Sequence, residues 1–304
     1  MSEGYEALRH GAAWIDLSAR GRILVRGRDR ARLLHNVTSN EVKKMTPGWG
    51  CYAFLLTPQG RIQADLHLFC CPDHFLIDTE PELREKVGQF ILKYRVADQV
   101  ELEDVTEKTA ALGLEGPGAA AVLASLNAPI PGEAYQHLVS GETTIANISL
   151  TGQPGFRIYS SSGEKPDLES AGAKRADESD VRLVRIENGR PRYGEDIRET
   201  SLPQETQQMH AVSFTKGCYI GQEIVERIRA QGHVNKKLVR LAIESASTVP
   251  PGTKLAVDGN EAGEITSAVF SPDSGEVAAL AYVRTPYAVP DTVLKAAEFS
   301  ARVV

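Results

Sequence analysis

The chain has 304 residues and a formal net charge of −6. That length exceeds one compact core and suits two or three domains, and the acidic balance argues against broad nonspecific binding to nucleic acid. No apolar run is long enough to span a bilayer, and Met1 to Tyr5 lack the basic and apolar regions of a signal peptide, so a cytoplasmic protein is expected. The four cysteines, Cys51, Cys70, Cys71 and Cys218, form no C-x-x-C pair and no Cys/His cluster at zinc spacing. Neither a disulfide framework nor a self-contained metal site is expected from them.

In chain order, residues 21–27 read as a strand, with Ile23 and Val25 alternating against arginines. Asp29 is placed to cap the helix that follows, which carries Leu33, Leu34 and Val37. Residues 51–57 read as a strand and Pro58-Gln59-Gly60 as a turn. Then Ile62, Ala64, Leu66 and Leu68 alternate with Gln63, Asp65 and His67. The polar set is either the solvent face of an edge strand or the lining of a ligand cavity, with Asp65 as acceptor or base. Residues 74–79 read as a further strand and 82–94 as a helix with Leu83, Val87, Phe90, Ile91 and Tyr94 on one face. A strand near 99–105 completes a hairpin, helix and strand order that points to an α+β layer.

Residues 110–114 read as a strand and 119–126 as a helix. The Gly116-Pro117-Gly118 turn between them is a candidate anion nest, but without a Walker lysine or the full dinucleotide fingerprint it is assigned no nucleotide. Residues 143–150 and 156–160 read as a hairpin, and 161–180 as an exposed loop with a helix. Beyond Gly232 the texture changes to short alternating strands over 237–243, 254–257, 262–270, 276–282 and 293–295. Two regions follow: an α+β body over 1–234 and a small β-barrel over 235–304. Two basic runs stand out, Arg182, Arg185, Arg190 and Arg192, and then Arg227, Arg229, Lys236, Lys237 and Arg240. Each is either solvated surface or a cradle for a small polyanion.

One stretch carries the sharpest chemistry: Lys216-Gly217-Cys218-Tyr219-Ile220-Gly221-Gln222-Glu223. Gly217 and Gly221 allow tight turning on both sides of the thiol. From Gln222 the spacing of Ile224, Val225 and Ile228 is helical and Gly232 is its stop. A thiol in a turn beside an ammonium group and a helix N-terminus favours thiolate. The alternative is a small buried side chain that packs the turn.

This stretch resembles the signature of the YgfZ family of folate-binding proteins, relatives of the glycine-cleavage T-protein, an aminomethyltransferase. The order Arg185-Ile186-Glu187-Asn188-Gly189-Arg190-Pro191, Tyr193-Gly194-Glu195-Asp196-Ile197, Leu202-Pro203-Gln204-Glu205 is similar to the central block of both groups. So are Leu56 to Ile62 with Asp65, and Thr151 to Phe156. The resemblance spans nearly the whole chain. It implies an aminomethyltransferase-like fold, a ring of three subdomains around a central folate site closed by a C-terminal β-barrel. It implies tetrahydrofolate, or a one-carbon derivative, as cofactor. It implies support of iron–sulfur enzymes or assembly proteins, including tRNA-modifying enzymes, by a monomer that does not itself bind nucleic acid.

Residue by residue, the resemblance makes Cys218 the functional thiol and Lys216, Gly217, Tyr219, Gly221, Gln222 and Glu223 its frame. Glu187 then grips the pterin by two hydrogen bonds, Tyr219 joins the folate site, and arginines such as Arg185 or Arg227 at the cavity mouth suit the anionic tail; apart from the resemblance, Glu187 is equally a surface carboxylate paired with Arg185 or Arg190. Asp65 stands at a catalytic position. The T-protein has two adjacent aspartates where this chain has Ala64-Asp65, tends to have glutamate where Arg157 stands, and lacks the cysteine motif. A folate-dependent aminomethyltransferase of the T-protein type is therefore the second reading.

Overall fold

The computed structural model describes residues 1–304. It consists of two sheets and a closed barrel. The first sheet is antiparallel and runs Trp49–Leu56, Ile62–Cys70, Phe75–Thr79, Gly21–Arg26, Glu101–Asp104. Helices Arg30–Val37 and Arg84–Lys93 cover one face, where Leu33, Leu34, Val87 and Ile91 share a core with Ile62, Ala64, Leu66 and Leu68. The period of two in a strand sends Asp65, His67 and Phe69 to the other face.

The second sheet runs Lys174–Arg175, Ala13–Asp16, Ala110–Glu115, Gly155–Ser160, Thr143–Ala146, His137–Ser140, antiparallel except for its first pair. Helix Ala119–Ser125 packs on Leu112, Leu114 and Phe156 on one side. On the other side Ala111, Ala146 and Tyr159 meet Phe69 and Leu76 of the first sheet. The two sheets therefore face each other, and polar residues at their junction border a cavity.

The barrel takes the strands Lys236–Ile243, Val277–Arg284, Asn260–Phe270, Lys254–Val257, Val293–Ala296 and Phe299–Val303 in that order. Leu241, Ile265, Ala281 and Leu294 fill it. The last strand, which hydrophobic alternation did not reveal, closes the ring by pairing with Leu241 to Ile243. The barrel is fastened to the body through Asp196. That carboxylate is wholly buried and accepts from Thr266 Oγ1 (2.6 Å), Ser267 Oγ (2.7 Å) and Arg185 Nη1 (2.8 Å).

Some local expectations are corrected. Asp29 does not cap its helix; its Oδ2 accepts from the Gln99 amide at 2.9 Å and ties the helix to the far end of the sheet. The Gly116-Pro117-Gly118 turn is no anion nest, because its Gly116 and Gly118 amides already donate to Pro154 and Gly11 carbonyls. Residues 81–94 form a short 3₁₀ turn, Pro81–Leu83, before the α-helix rather than one continuous helix. The N-terminal helix Glu3–His10 and the strand Ala13–Asp16 were not anticipated; both are too short to show a clear period. No helix is long and apolar enough to cross a membrane.

Candidate functional site

A cavity of about 540 Å³ opens at the junction of the sheets. That is the size of a small-molecule site. One wall is aromatic. Tyr52 stacks on His210 with centroids 5.4 Å apart, and His67 stacks on Tyr135 at 5.9 Å. Asp65 stands in this wall. Tyr52 donates its hydroxyl to Asp65 Oδ2 at 2.6 Å, and Thr79 Oγ1 donates to the Asp65 carbonyl at 2.8 Å. Burial, then the nearby Glu80 charge, push the Asp65 carboxyl up to about 6. Burial, then Arg157, push His67 down, and burial, then Arg190, push His210 down, so both imidazoles are neutral near pH 7. A carboxyl that titrates near neutrality between neutral rings can accept or release a proton within the working range of an enzyme.

The opposite side is charged. Arg20, Arg182, Arg185, Arg190 and Arg192 all border the cavity, together with Glu80 and Glu195. Most of these cations are already paired. Arg20 is buried and bridges Asp78 and Glu80. Arg192 meets Glu80 at 3.0 Å and Glu82 at 2.9 Å. Arg182 and Arg185 both hold Glu195, and Arg185 also donates to Asp196 and to the Arg190 carbonyl. Arg190 and Arg175 differ: Arg190 is exposed and engaged with no carboxylate, and Arg175 lies over the Trp14 ring at 5.4 Å. These two guanidinium groups remain available to an anion. Beneath the wall, Arg157 and Arg20 outweigh burial and hold Asp78 well below the usual carboxylate range.

The residues singled out from sequence divide sharply. Asp65 and Arg185 border the cavity. His67 does too, so the polar face of its strand lines a cavity rather than bulk water. All four arginines of the 182–192 run reach it, although Arg185 is saturated by its own partners. Glu187 is a correction. It sits at the junction of the first helix, helix Glu178–Glu187 and the barrel, where its Oε1 accepts from Tyr5 (3.0 Å) and Ser271 (2.6 Å). Arg227 is also a correction, lying on the exposed side of helix Gln222–Gln231.

The motif residues form a second locus outside the cavity lining. Cys218 is exposed, which sets aside the alternative of a buried packing thiol. Lys216 is not its neighbouring charge. It is buried, and its three donors go to the carbonyls of His35, Thr38 (2.7 Å) and Asn40 (2.8 Å). Burial pushes the Lys216 amine down to about 8. Tyr219 is buried, with Lys216 Nζ 4.9 Å from its ring centroid, and does not border the cavity. Gly221 has φ +82°, and a Cβ there would lie 2.5 Å from the Thr57 carbonyl oxygen, so only glycine fits. Gly217, in contrast, does not adopt a left-handed conformation. Gln222 and Glu223 form the first helical turn.

Among the cavity residues that sequence reasoning did not assign are Tyr52, Tyr135, His210, Glu195, Arg20, Glu80 and Arg175. Tyr52 offered a usable signal: it faces His67 across the ladder. Glu195 stood two residues beyond Tyr193 in the quoted central block. Tyr135 lies in a turn and His210 in the short 3₁₀ helix Met209–Ala211, neither with a period to read.

The family described as the GCVT N-terminal domain matches residues 1–216, and the glycine cleavage T-protein C-terminal barrel domain matches residues 236–303. An aminomethyltransferase of Rubrobacter xylanophilus is 30% identical over 293 residues, covering 92% of this chain and 78% of that protein. A chloroplastic protein of Arabidopsis thaliana, named as a transferase, is 28% identical, covering 93% of this chain and 67% of that one. The crystal structure of the glycine cleavage system aminomethyltransferase T of Bartonella henselae superposes with a TM-score of 0.90 over 99% of this chain and 87% of that one, at 21% identity. The fold is therefore aminomethyltransferase-like, and the chain belongs to the glycine cleavage T-protein family.

Proposed function

We propose that the cavity binds tetrahydrofolate or a one-carbon derivative, and that the chain is a YgfZ-like factor acting through Cys218 on iron–sulfur enzymes or assembly proteins, tRNA-modifying ones among them. The observation that carries the folate part is the make-up of the cavity: stacked rings on one wall, one carboxyl at about 6, and two unpaired guanidinium groups. A flat heterocycle suits the rings, and a carboxylate tail suits Arg190 and Arg175. Asp65 would orient and exchange a proton with a ligand amine, and Tyr52 keeps one carboxyl oxygen occupied so that the other faces the cavity. When bound, a reduced folate supplies an amine that carries one carbon. Cys218 supports the second part by its exposure within K-G-C-Y-I-G-Q-E. The proposed setting is a monomer in the cytoplasm.

One observation favours the second reading, an aminomethyltransferase. Ala64 is wholly buried in the hydrophobic core, so the aspartate that it replaces would not have pointed into the cavity. The single cavity carboxyl expected from the strand alternation is present.

Calorimetric titration with tetrahydrofolate tests the shared part. Saturable binding is expected in the wild type, with affinity reduced about tenfold or more in Arg190→Ala, as for loss of a charge-assisted contact. No binding to the wild type would remove both readings. Complementation by Cys218→Ala, read as iron–sulfur enzyme activity, and formation of methylene-tetrahydrofolate from a loaded carrier then separate them.

A further inference from the structure

The aromatic wall hangs on the outer edge of the first sheet. Strand Trp49–Leu56 is laddered only to Ile62–Cys70 and otherwise carries isolated bridges, Leu55 with Thr38 and Trp49 with Gln136. Along its other side runs the segment Thr38 to Asn40, followed by Met209 to Ser213. Ser39 is wholly buried and clamps the two: its Oγ donates to the Ala211 carbonyl (2.6 Å) and accepts from the Phe54 amide (2.8 Å). Asn40 repeats the clamp one step along. Its Nδ2 donates to the Tyr52 carbonyl at 2.8 Å and to the His210 carbonyl at 2.9 Å, while its Oδ1 accepts from the Glu41 amide at 2.8 Å. Two carbonyl oxygens can be met only by the NH₂ group, so the orientation of this carboxamide is fixed. The two residues whose main chains it joins are the two whose rings stack, 24° from parallel, in the cavity.

We infer that Asn40 is the positioning residue of the cavity wall: one carboxamide joins the main chains under Tyr52 and His210, sets their ring stack, and thereby aims the Tyr52 hydroxyl at Asp65. No other side chain hydrogen-bonds both of those main chains. The Asn40 carbonyl also accepts from Lys216 Nζ at 2.8 Å, so the wall and the K-G-C-Y turn share one anchor. That gives the motif lysine a role that the thiol does not need. Asn40 touches neither Asp65 nor the cavity interior, and its effect on a ligand is exerted through the two rings.

The binding arm of the test rests on the folate reading; the spectroscopic arm does not. Asn40→Asp places a carboxylate oxygen against two carbonyl oxygens, and Asn40→Ala removes the donors without adding charge. For each, the His210 ring protons are followed by proton–carbon NMR, tetrahydrofolate affinity by calorimetry, and the melting midpoint by circular dichroism. The expected result is loss of the ring-current shift that Tyr52 imposes on His210, with affinity reduced about tenfold or more for two lost hydrogen bonds, in a chain that still melts cooperatively. An unchanged His210 shift in both variants would overturn the inference. So would a lost shift with full affinity, because the wall would then be no part of the site. If the wild type binds no tetrahydrofolate, the folate reading fails, and the His210 shift still decides the role of Asn40.

Discussion

Replacing Asp65 by Asn probes the cavity's electrostatics and separates site from scaffold. The carboxyl is held at about 6, by burial first and by Glu80 second, against a value of about 4 in an unfolded chain. Between these values the folded protein keeps a proton that the unfolded chain has lost, so stability falls as pH rises from about 4 to about 6 and stays lower above. Two pKa units at about 1.36 kcal/mol each make this cost roughly 3 kcal/mol at pH 7. An amide never ionises and does not carry the cost. Its oxygen still accepts from Tyr52, and the stronger bond that Tyr52 makes to the charged carboxylate is already counted in the net shift. Asp65→Asn is therefore expected to be more stable than wild type by about 1–3 kcal/mol at pH 7.5, with the gap closing near pH 4. Urea denaturation of both proteins at the two pH values measures it. Asp78, whose shift has the opposite sign, contributes to both proteins and drops out of the difference. A variant less stable than wild type at pH 7.5, or a gap independent of pH, would refute the reasoning. The same substitution is expected to weaken tetrahydrofolate binding, the usual opposition of stability and function at a site.

Two further outcomes follow from the thiol-bearing turn. Gly221→Ala forces a Cβ to 2.5 Å from the Thr57 carbonyl at φ +82° and is expected to lower stability by at least about 2 kcal/mol, whereas Gly232→Ala, at φ +75° but in open space, costs only about 1 kcal/mol; urea melts of the pair compare them. Iodoacetamide is expected to label Cys218 ahead of the other thiols in the native protein, by peptide mass spectrometry, because Cys70 and Cys71 are buried and burial pushes Cys51 up to about 12 and Cys71 up to about 11.

What could be read from the sequence was whatever repeats locally. Alternation over 62–68 identified both the strand and its two faces, and the apolar set does fill the core. Helical spacing located 30–37 and 222–231. The barrel announced itself through short strands and turn residues, except for its closing strand Phe299–Val303, where Phe299 and Ser300 are half-exposed and Arg302 is exposed, so the alternation fades. The cavity was legible on the strand that carries Asp65 and His67, and in the basic run Arg182, Arg185, Arg190 and Arg192. Glu187 and Arg227 failed for a different reason. Membership of a recognised block does not fix which way a side chain on a helix points, and tertiary packing turned Glu187 toward Tyr5 and Ser271. Lys216 failed in the same way: two residues from the thiol along the chain, it spends its donors on three carbonyls of another segment.

The separation of the two loci constrains mechanism. Asp65 is nine-tenths buried at the cavity wall, while Cys218 is exposed and absent from the lining. A reaction that used both groups on one small ligand is not available in this conformation. Chemistry at Cys218 must therefore meet its partner from outside, and chemistry at Asp65 needs no thiol. The aminomethyltransferase reading then requires that Asp65→Asn abolish activity and Cys218→Ala leave it intact. The iron–sulfur reading requires that Cys218→Ala abolish complementation while tetrahydrofolate still binds with wild-type affinity. The segment from His35 to Asn40 joins the two loci, and an effect of the cavity's ligand on the thiol that passes through it would be seen at the Lys216 carbonyl contacts.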